Sequence, residues 1–258
     1  MTAEPITGGA FATDSATDPV ARVRQRLPVR LLGVWAHPDD EAYLSAGLMA
    51  RVAHTGGRVT CVTATRGELG RPDDDPRPRS VFERLREDEL RASLRIARVD
   101  RLRILGHPDG GCADLPHERG VAEIAGMIEV FRPDVIVTFD EGGITHHPDH
   151  LAVHRWTTDA WRRVGIGELL YAVMTDEFLE RYRPLHDRIG LFGDHPPVGC
   201  AEADVALRID LDEREVARKR RALAAHASQT TAFAEVVGEE TYRSWWASET
   251  FRRAERRP

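Results

Sequence analysis

Five stretches rich in apolar and β-branched residues, at 31–36, 58–65, 102–105, 135–139 and 169–173, punctuate the first two thirds of the chain. Each is short and stops at a polar or glycine-rich turn, as strands buried on both faces of a sheet do. The intervening segments have a helical period. Residues 40–55 carry Leu44, Leu48, Ala50 and Val52 and end at Gly56-Gly57, and residues 81–97 place Phe82, Leu85, Leu90, Leu94 and Ile96 on one side. Residues 118–131 and 150–164 read as two more helices. Strands alternating with helices at this spacing predict an α/β fold, a mostly parallel sheet with helices on both faces. In the doubly wound order 3-2-1-4-5, the first and fourth strands are neighbours where the winding reverses, and their carboxyl ends open one crevice.

Outside this region the pattern weakens. Residues 1–29 show no periodicity before Val20 and read as a loose arm. Residues 71–80, with three prolines and three consecutive aspartates, predict a long loop free to move. Beyond the core at 30–175, residues 182–199 are rich in Pro and Gly, 204–210 alternate like an edge strand, and 212–227 form an amphipathic helix. Residues 176–258 are therefore expected to be an α+β extension that completes the pocket within the same domain.

Composition narrows the function classes. With 36 basic against 42 acidic residues spread along the chain, nothing marks a nucleic-acid footprint. The basic clusters at 218–221, 252–253 and 256–257 read as solvated helix faces. No stretch has the length of a membrane span, and the first thirty residues lack the apolar core of a secretory signal, so a cytoplasmic location is expected. Cys61, Cys112 and Cys200 are odd in number and far apart, which fits reduced packing thiols. The aromatic segment at 241–251 fits packing on its own chain, a cap on the pocket, or the interface of a homo-oligomer.

The chemistry lies where two strands end. The first runs into Ala36-His37-Pro38-Asp39-Asp40-Glu41, and the fourth into Asp140-Glu141 and then His146-His147-Pro148-Asp149-His150. Three adjacent carboxylates at the end of a core strand are costly unless a cation compensates them. Two imidazoles, one carboxylate and an open position make the ligand set of a catalytic zinc, for which His37, Asp40 and His150 are the candidates. Asp39 and His147 then stand beside the metal, Asp39 able to take a proton from water and His147 able to stabilise an oxyanion or protonate a leaving amine. The implied reaction is hydrolysis of an amide or ester. A dinucleotide-binding site is excluded, because the first turn has no Gly-x-Gly-x-x-Gly.

These paired motifs resemble the PIG-L/LmbE family of zinc-dependent N-acetylglucosamine deacetylases, which includes enzymes of mycothiol and bacillithiol biosynthesis. The resemblance spans roughly residues 30 to 230. It implies a Rossmann-like sheet, a small amino-sugar or glycoside substrate, and Zn2+ or another divalent metal such as Fe2+. It also implies His37, Asp40 and His150 as metal ligands, Asp39 as general base and His147 in oxyanion stabilisation or acid catalysis. Arg66 and Asp109, after the second and third strands, become candidates for holding the sugar. Asp149 is a candidate to orient His147. His226, in a segment similar to the family's His-x-Ser-Gln, is a candidate to close over the substrate. Thiol-pathway members carry a Tyr two residues before the second motif, where this chain has Thr145. An amidase of thiol conjugates and a catalytically silent metal-binding or small-molecule-binding module are the alternatives.

Overall fold

Because both faces of the central strands are covered, their side chains must be apolar nearly throughout. The computed structural model describes residues 18–99 and 101–256. In it, β1 (Arg30–Trp35), β2 (Arg58–Thr63), β3 (Arg101–Ile104), β4 (Val135–Phe139) and β5 (Glu168–Ala172) are mutually parallel. Leu31, Leu32, Trp35 and all five residues of β4 are fully buried. The seven-stranded sheet has the order β3-β2-β1-β4-β5-β9-β8, so the expected 3-2-1-4-5 winding is present. It is extended by β8 (Val205–Asp210) and β9 (Ser248–Arg253), which are antiparallel. A separate two-stranded sheet pairs β6 (Met174–Thr175) with β7 (Gly199–Cys200).

The helices are α1 (Pro19–Arg24), α2 (Asp40–Leu44), α3 (Ala46–His54), α4 (Arg79–Ile96), α5 (His117–Phe131), α6 (Gly143–His146), α7 (Pro148–Val164), α8 (Asp176–Ile189), α9 (Glu213–Ala225), α10 (Ala227–Val237) and α11 (Glu239–Trp245). Several differ from expectation. The single helix at 40–55 is two, broken at Ser45, whose φ of -150° and ψ of 7° are not helical. Residues 1–17 of the N-terminal arm lie outside the described residues, but from Asp18 onward the arm is docked. The Asp18 carboxylate caps the Val20 N–H, and Val20 and Val23, three apart on one face, enter the main core. The Pro- and Gly-rich region begins with a helix, α8, which contains Pro184. Arg252 and Arg253 lie on a strand rather than a helix face. Cys61, Cys112 and Cys200 are buried and free. No helix among the described residues is long and apolar enough to cross a membrane.

Lys219, expected on a solvated face, is buried against Glu249 of β9. Its Nζ donates to Glu249 Oε1 at 2.7 Å, while the same carboxylate accepts the Gly47 and Leu48 N–H groups at 2.7 and 2.8 Å. One carboxylate thus satisfies the open end of α3 and the buried ammonium, tying α3, α9 and β9 together. Burial pulls the Lys219 ammonium below its ordinary range, and Glu249 opposes that pull. Glu249→Ala should destabilise the fold by about 3–5 kcal/mol, the effect of leaving one buried partner unpaired. Urea unfolding beside Glu249→Gln checks this, since Gln retains an acceptor and should lose less.

Candidate metal centre and substrate cavity

Parallel pairing of β1 with β4, with Gly33 opposite Val137, brings the residues after both strands to one edge of the sheet. There His37 Nδ1 lies 3.1 Å from His150 Nε2. Asp40 completes the triangle, with Oδ1 3.4 Å from His150 Nε2 and Oδ2 3.6 Å from His37 Nδ1. Three ligand atoms bound about 2.0–2.2 Å from one tetrahedral ion would lie about 3.3–3.6 Å apart, so the triangle has the size of a coordination site.

The second nitrogen of each ring is already occupied. His150 Nδ1 donates to the Gly143 carbonyl at 2.8 Å. His37 Nε2 faces Asp109 Oδ1 at 3.1 Å and Asp149 Oδ2 at 3.3 Å. These acceptors hold the ring protons on the outer nitrogens and leave the two inner lone pairs converging with Asp40. The donor set therefore fits a divalent ion with an open position. His147 also brings a ring nitrogen within 4.8 Å of those of His37 and His150, but its Nδ1 accepts the Asp149 N–H at 3.2 Å as the N-cap of α7. Its Nε2 consequently carries the proton as a donor. Burial lowers the His147 pKa, which favours this neutral form.

The second motif sits on strained backbone. Ile144 and His146 have φ of 63° and 60°, which non-glycine residues rarely adopt, and Gly143 has φ of 60°. A Cβ on Gly143 would fall 2.8 Å from His150 Cβ, so glycine permits the close approach that lets its carbonyl meet that imidazole.

Asp39 is held differently from Asp40. Its φ is 118°, its N–H donates to Glu41 Oε2 at 2.9 Å, and Arg86 Nη2 donates to its Oδ2 at 3.2 Å. Glu41 is buried and accepts from Ser93 Oγ and His226 Nε2, both at 2.8 Å. Burial pushes the Asp39 carboxyl up to about 6, opposed by the Arg86 guanidinium and aided by the Asp40 charge. Burial would raise Asp40 as well, but the His150 and His37 imidazoles outweigh it and hold Asp40 well below the usual carboxylate range.

The cavity facing these groups has a volume of about 520 Å³, and His37, Asp39, Asp40, Asp109, His147 and His150 line its charged end. Three expected roles change. Arg66 turns away to Glu87, 3.3 Å off, and does not line the cavity. His226 is fully buried behind Glu41, so it does not close over a substrate. The Asp149 carboxylate accepts the Gly110 and Cys112 N–H groups at 2.8 and 2.9 Å and faces His37, so it orients that ring and not His147.

Arg86 and Gln229 line the cavity and were not anticipated. A signal for Arg86 existed. It lies four residues after Phe82 and four before Leu90 on the apolar stripe of α4, where a charged side chain needs a partner inside the protein.

A family model described as PIG-L: GlcNAc-PI de-N-acetylase matches residues 32–161, which contain both motifs. The chain belongs to the PIG-L family. It is 35% identical over 248 residues to a 1D-myo-inositol 2-acetamido-2-deoxy-alpha-D-glucopyranoside deacetylase of Tsukamurella paurometabola, covering 78% of this chain and 82% of that one. The enzyme of the same name from Actinosynnema mirum is 32% identical over 246 residues, covering 83% and 86%. The fold is shared with N,N'-diacetylchitobiose deacetylase from Pyrococcus horikoshii at a TM-score of 0.61 and 18% identity, covering 87% of this chain and 83% of that one. This PIG-L protein is accordingly a deacetylase, a hydrolase of amide C–N bonds and a member of a metal-dependent family.

Proposed function

We propose that the chain removes the acetyl group from the nitrogen of an amino sugar within a small molecule, with His37, Asp40 and His150 holding Zn2+. Two imidazoles and a carboxylate suit zinc, and Fe2+ is the second choice. The observation that carries the reading is the triangle of free lone pairs with a second, non-coordinating carboxylate, Asp39, lining the same cavity. The relatives' inositol glycoside of N-acetylglucosamine is the first compound to test. Free amine and acetate should appear together, and their absence after metal reconstitution would sink the proposal.

The bound ion supplies Lewis-acid polarisation and makes water a better acid. Asp39 takes the proton from the attacking water. Arg86 beside it keeps that carboxylate ionised before the step. The His147 Nε2–H donates to the carbonyl oxygen as negative charge grows there. When the C–N bond breaks, Asp39 returns its proton to the amine nitrogen, and acetate leaves.

Glu41, through the Asp39 N–H, holds the base in its unusual backbone conformation, and His226 and Ser93 hold Glu41. His226→Ala should therefore lower kcat by about 10- to 100-fold, the scale of losing an orienting partner, with KM and metal content nearly unchanged. Steady-state kinetics with metal analysis checks this, and a rise in KM alone would place His226 in substrate binding instead.

A further inference from the structure

The catalytic groups occupy only one end of the cavity. The other end is bounded by Tyr43, Met174, Leu191, Phe233, Trp245 and Trp246. Tyr43 begins this wall one helical turn from the base, its N–H bonded to the Asp39 carbonyl at 3.0 Å. Its ring lies 4.9 Å from Trp246 and 6.4 Å from Phe233, Phe233 lies 5.6 Å from Trp245, and the two indoles stack at 4.9 Å with planes 17° apart. The wall is continuous. Tyr43, Phe233 and Trp246 are only half-buried. A second cavity of about 160 Å³ also borders Tyr43, Trp245 and Trp246.

We propose that the amino sugar is linked to an apolar aglycone, aryl or alkyl, which seats on this aromatic wall while the acetamide lies at the histidine–aspartate end. The inference rests on the deacetylase function proposed above. An acetyl group has two carbons and needs no such wall, and an N-acetylhexosamine by itself would leave much of a cavity of about 520 Å³ unfilled. A polyol in the same place would surrender its hydrogen bonds to water for ring faces and aliphatic chains, which return few. An aryl or alkyl group loses nothing by leaving water and gains contact with preformed rings. Phe233, Trp245 and Trp246 all lie beyond the family match at 32–161, so the C-terminal extension supplies most of the aromatic wall, and Tyr43 joins it from within the matched region.

The test compares free-amine release by the metal-loaded chain from N-acetylglucosamine, its inositol glycoside, its phenyl glycosides (both anomers) and N-octanoylglucosamine. The expected result is a kcat/KM for a phenyl glycoside about 10- to 100-fold above the first two, the discrimination an apolar pocket gives a few carbon atoms. Trp246→Ala and Phe233→Ala should each shrink that ratio by raising KM for the phenyl glycoside. Quenching of tryptophan fluorescence by the phenyl glycoside, and not by N-acetylglucosamine, reads binding without turnover or substitution. Equal or better turnover of the free sugar or the inositol glycoside overturns the proposal, as does a preference for the octanoyl amide alone. If no compound is hydrolysed the deacetylase reading fails, and the fluorescence titration still decides whether the wall binds an aryl group.

Discussion

Asp40→Asn is expected to leave a folded chain with little or no metal and almost no deacetylation. In the parent, Asp40 does two jobs. Oδ2 accepts the His37 N–H at 2.8 Å, and Oδ1 faces His150 Nε2 at 3.4 Å. An asparagine oxygen can keep the first contact, so the turn after β1 should survive. The negative charge cannot be kept, and a site of two neutral imidazoles and an amide binds a divalent ion far more weakly. Loss of a partner that only orients a ligand typically costs 10- to 100-fold in metal affinity, and loss of a ligand should exceed about 100-fold. Metal content after dialysis, with circular dichroism to confirm folding, gives the answer. Excess metal should restore only part of the activity.

The neighbouring substitution should behave in the opposite way. Asp39→Asn is expected to retain the metal while kcat falls by about 10² to 10⁴, the range for removing a general base. The variant should fold, because Asn tolerates positive φ better than most residues, and the Asp39 backbone sits at 118°. Arg86 would keep its bonds to the Gly67 and Pro38 carbonyls.

The pH profile separates the two variants further. Asp39 works in its ionised form, so kcat/KM of the parent should fall as pH drops through its pKa. Burial places that pKa at about 6, and a bound cation nearby pulls it lower. The acid limb therefore lies at or below pH 6 and should shrink in Asp39→Asn. If Asp39→Asn loses the metal while Asp40→Asn keeps both metal and activity, the two roles are reversed.

The parallel half of the sheet is legible because β1, β2, β4 and β5 are largely buried on both faces, so their sequences had to be nearly unbroken apolar or β-branched runs. The edge strand β3 instead alternates exposed arginines with half-buried Leu102 and Ile104. The same winding logic brings His37 and His150 together although they lie 113 residues apart. What escapes notice depends on partners that a linear reading cannot pair. Ser248–Arg253 hides a strand under charged residues, because Glu249 is buried only by virtue of Lys219 and the open end of α3. Lys219 looks solvated among three arginines until that carboxylate is in view. The carboxylate of Asp149 has His147 two positions away in sequence but turns to His37, because two backbone N–H groups from the loop after β3 capture it. Asp18, Val20 and Val23 show that a short apolar pair can dock a segment with no long-range period.

The most direct test of a metal-dependent N-deacetylase is acetate release from an N-acetylglucosamine glycoside by the purified chain, followed through chelation and metal restoration. The account predicts acetate and free amine in equal amounts, loss of both on chelation, and their return with Zn2+ or Fe2+. Full activity in thoroughly chelated protein, with no metal bound, would contradict it.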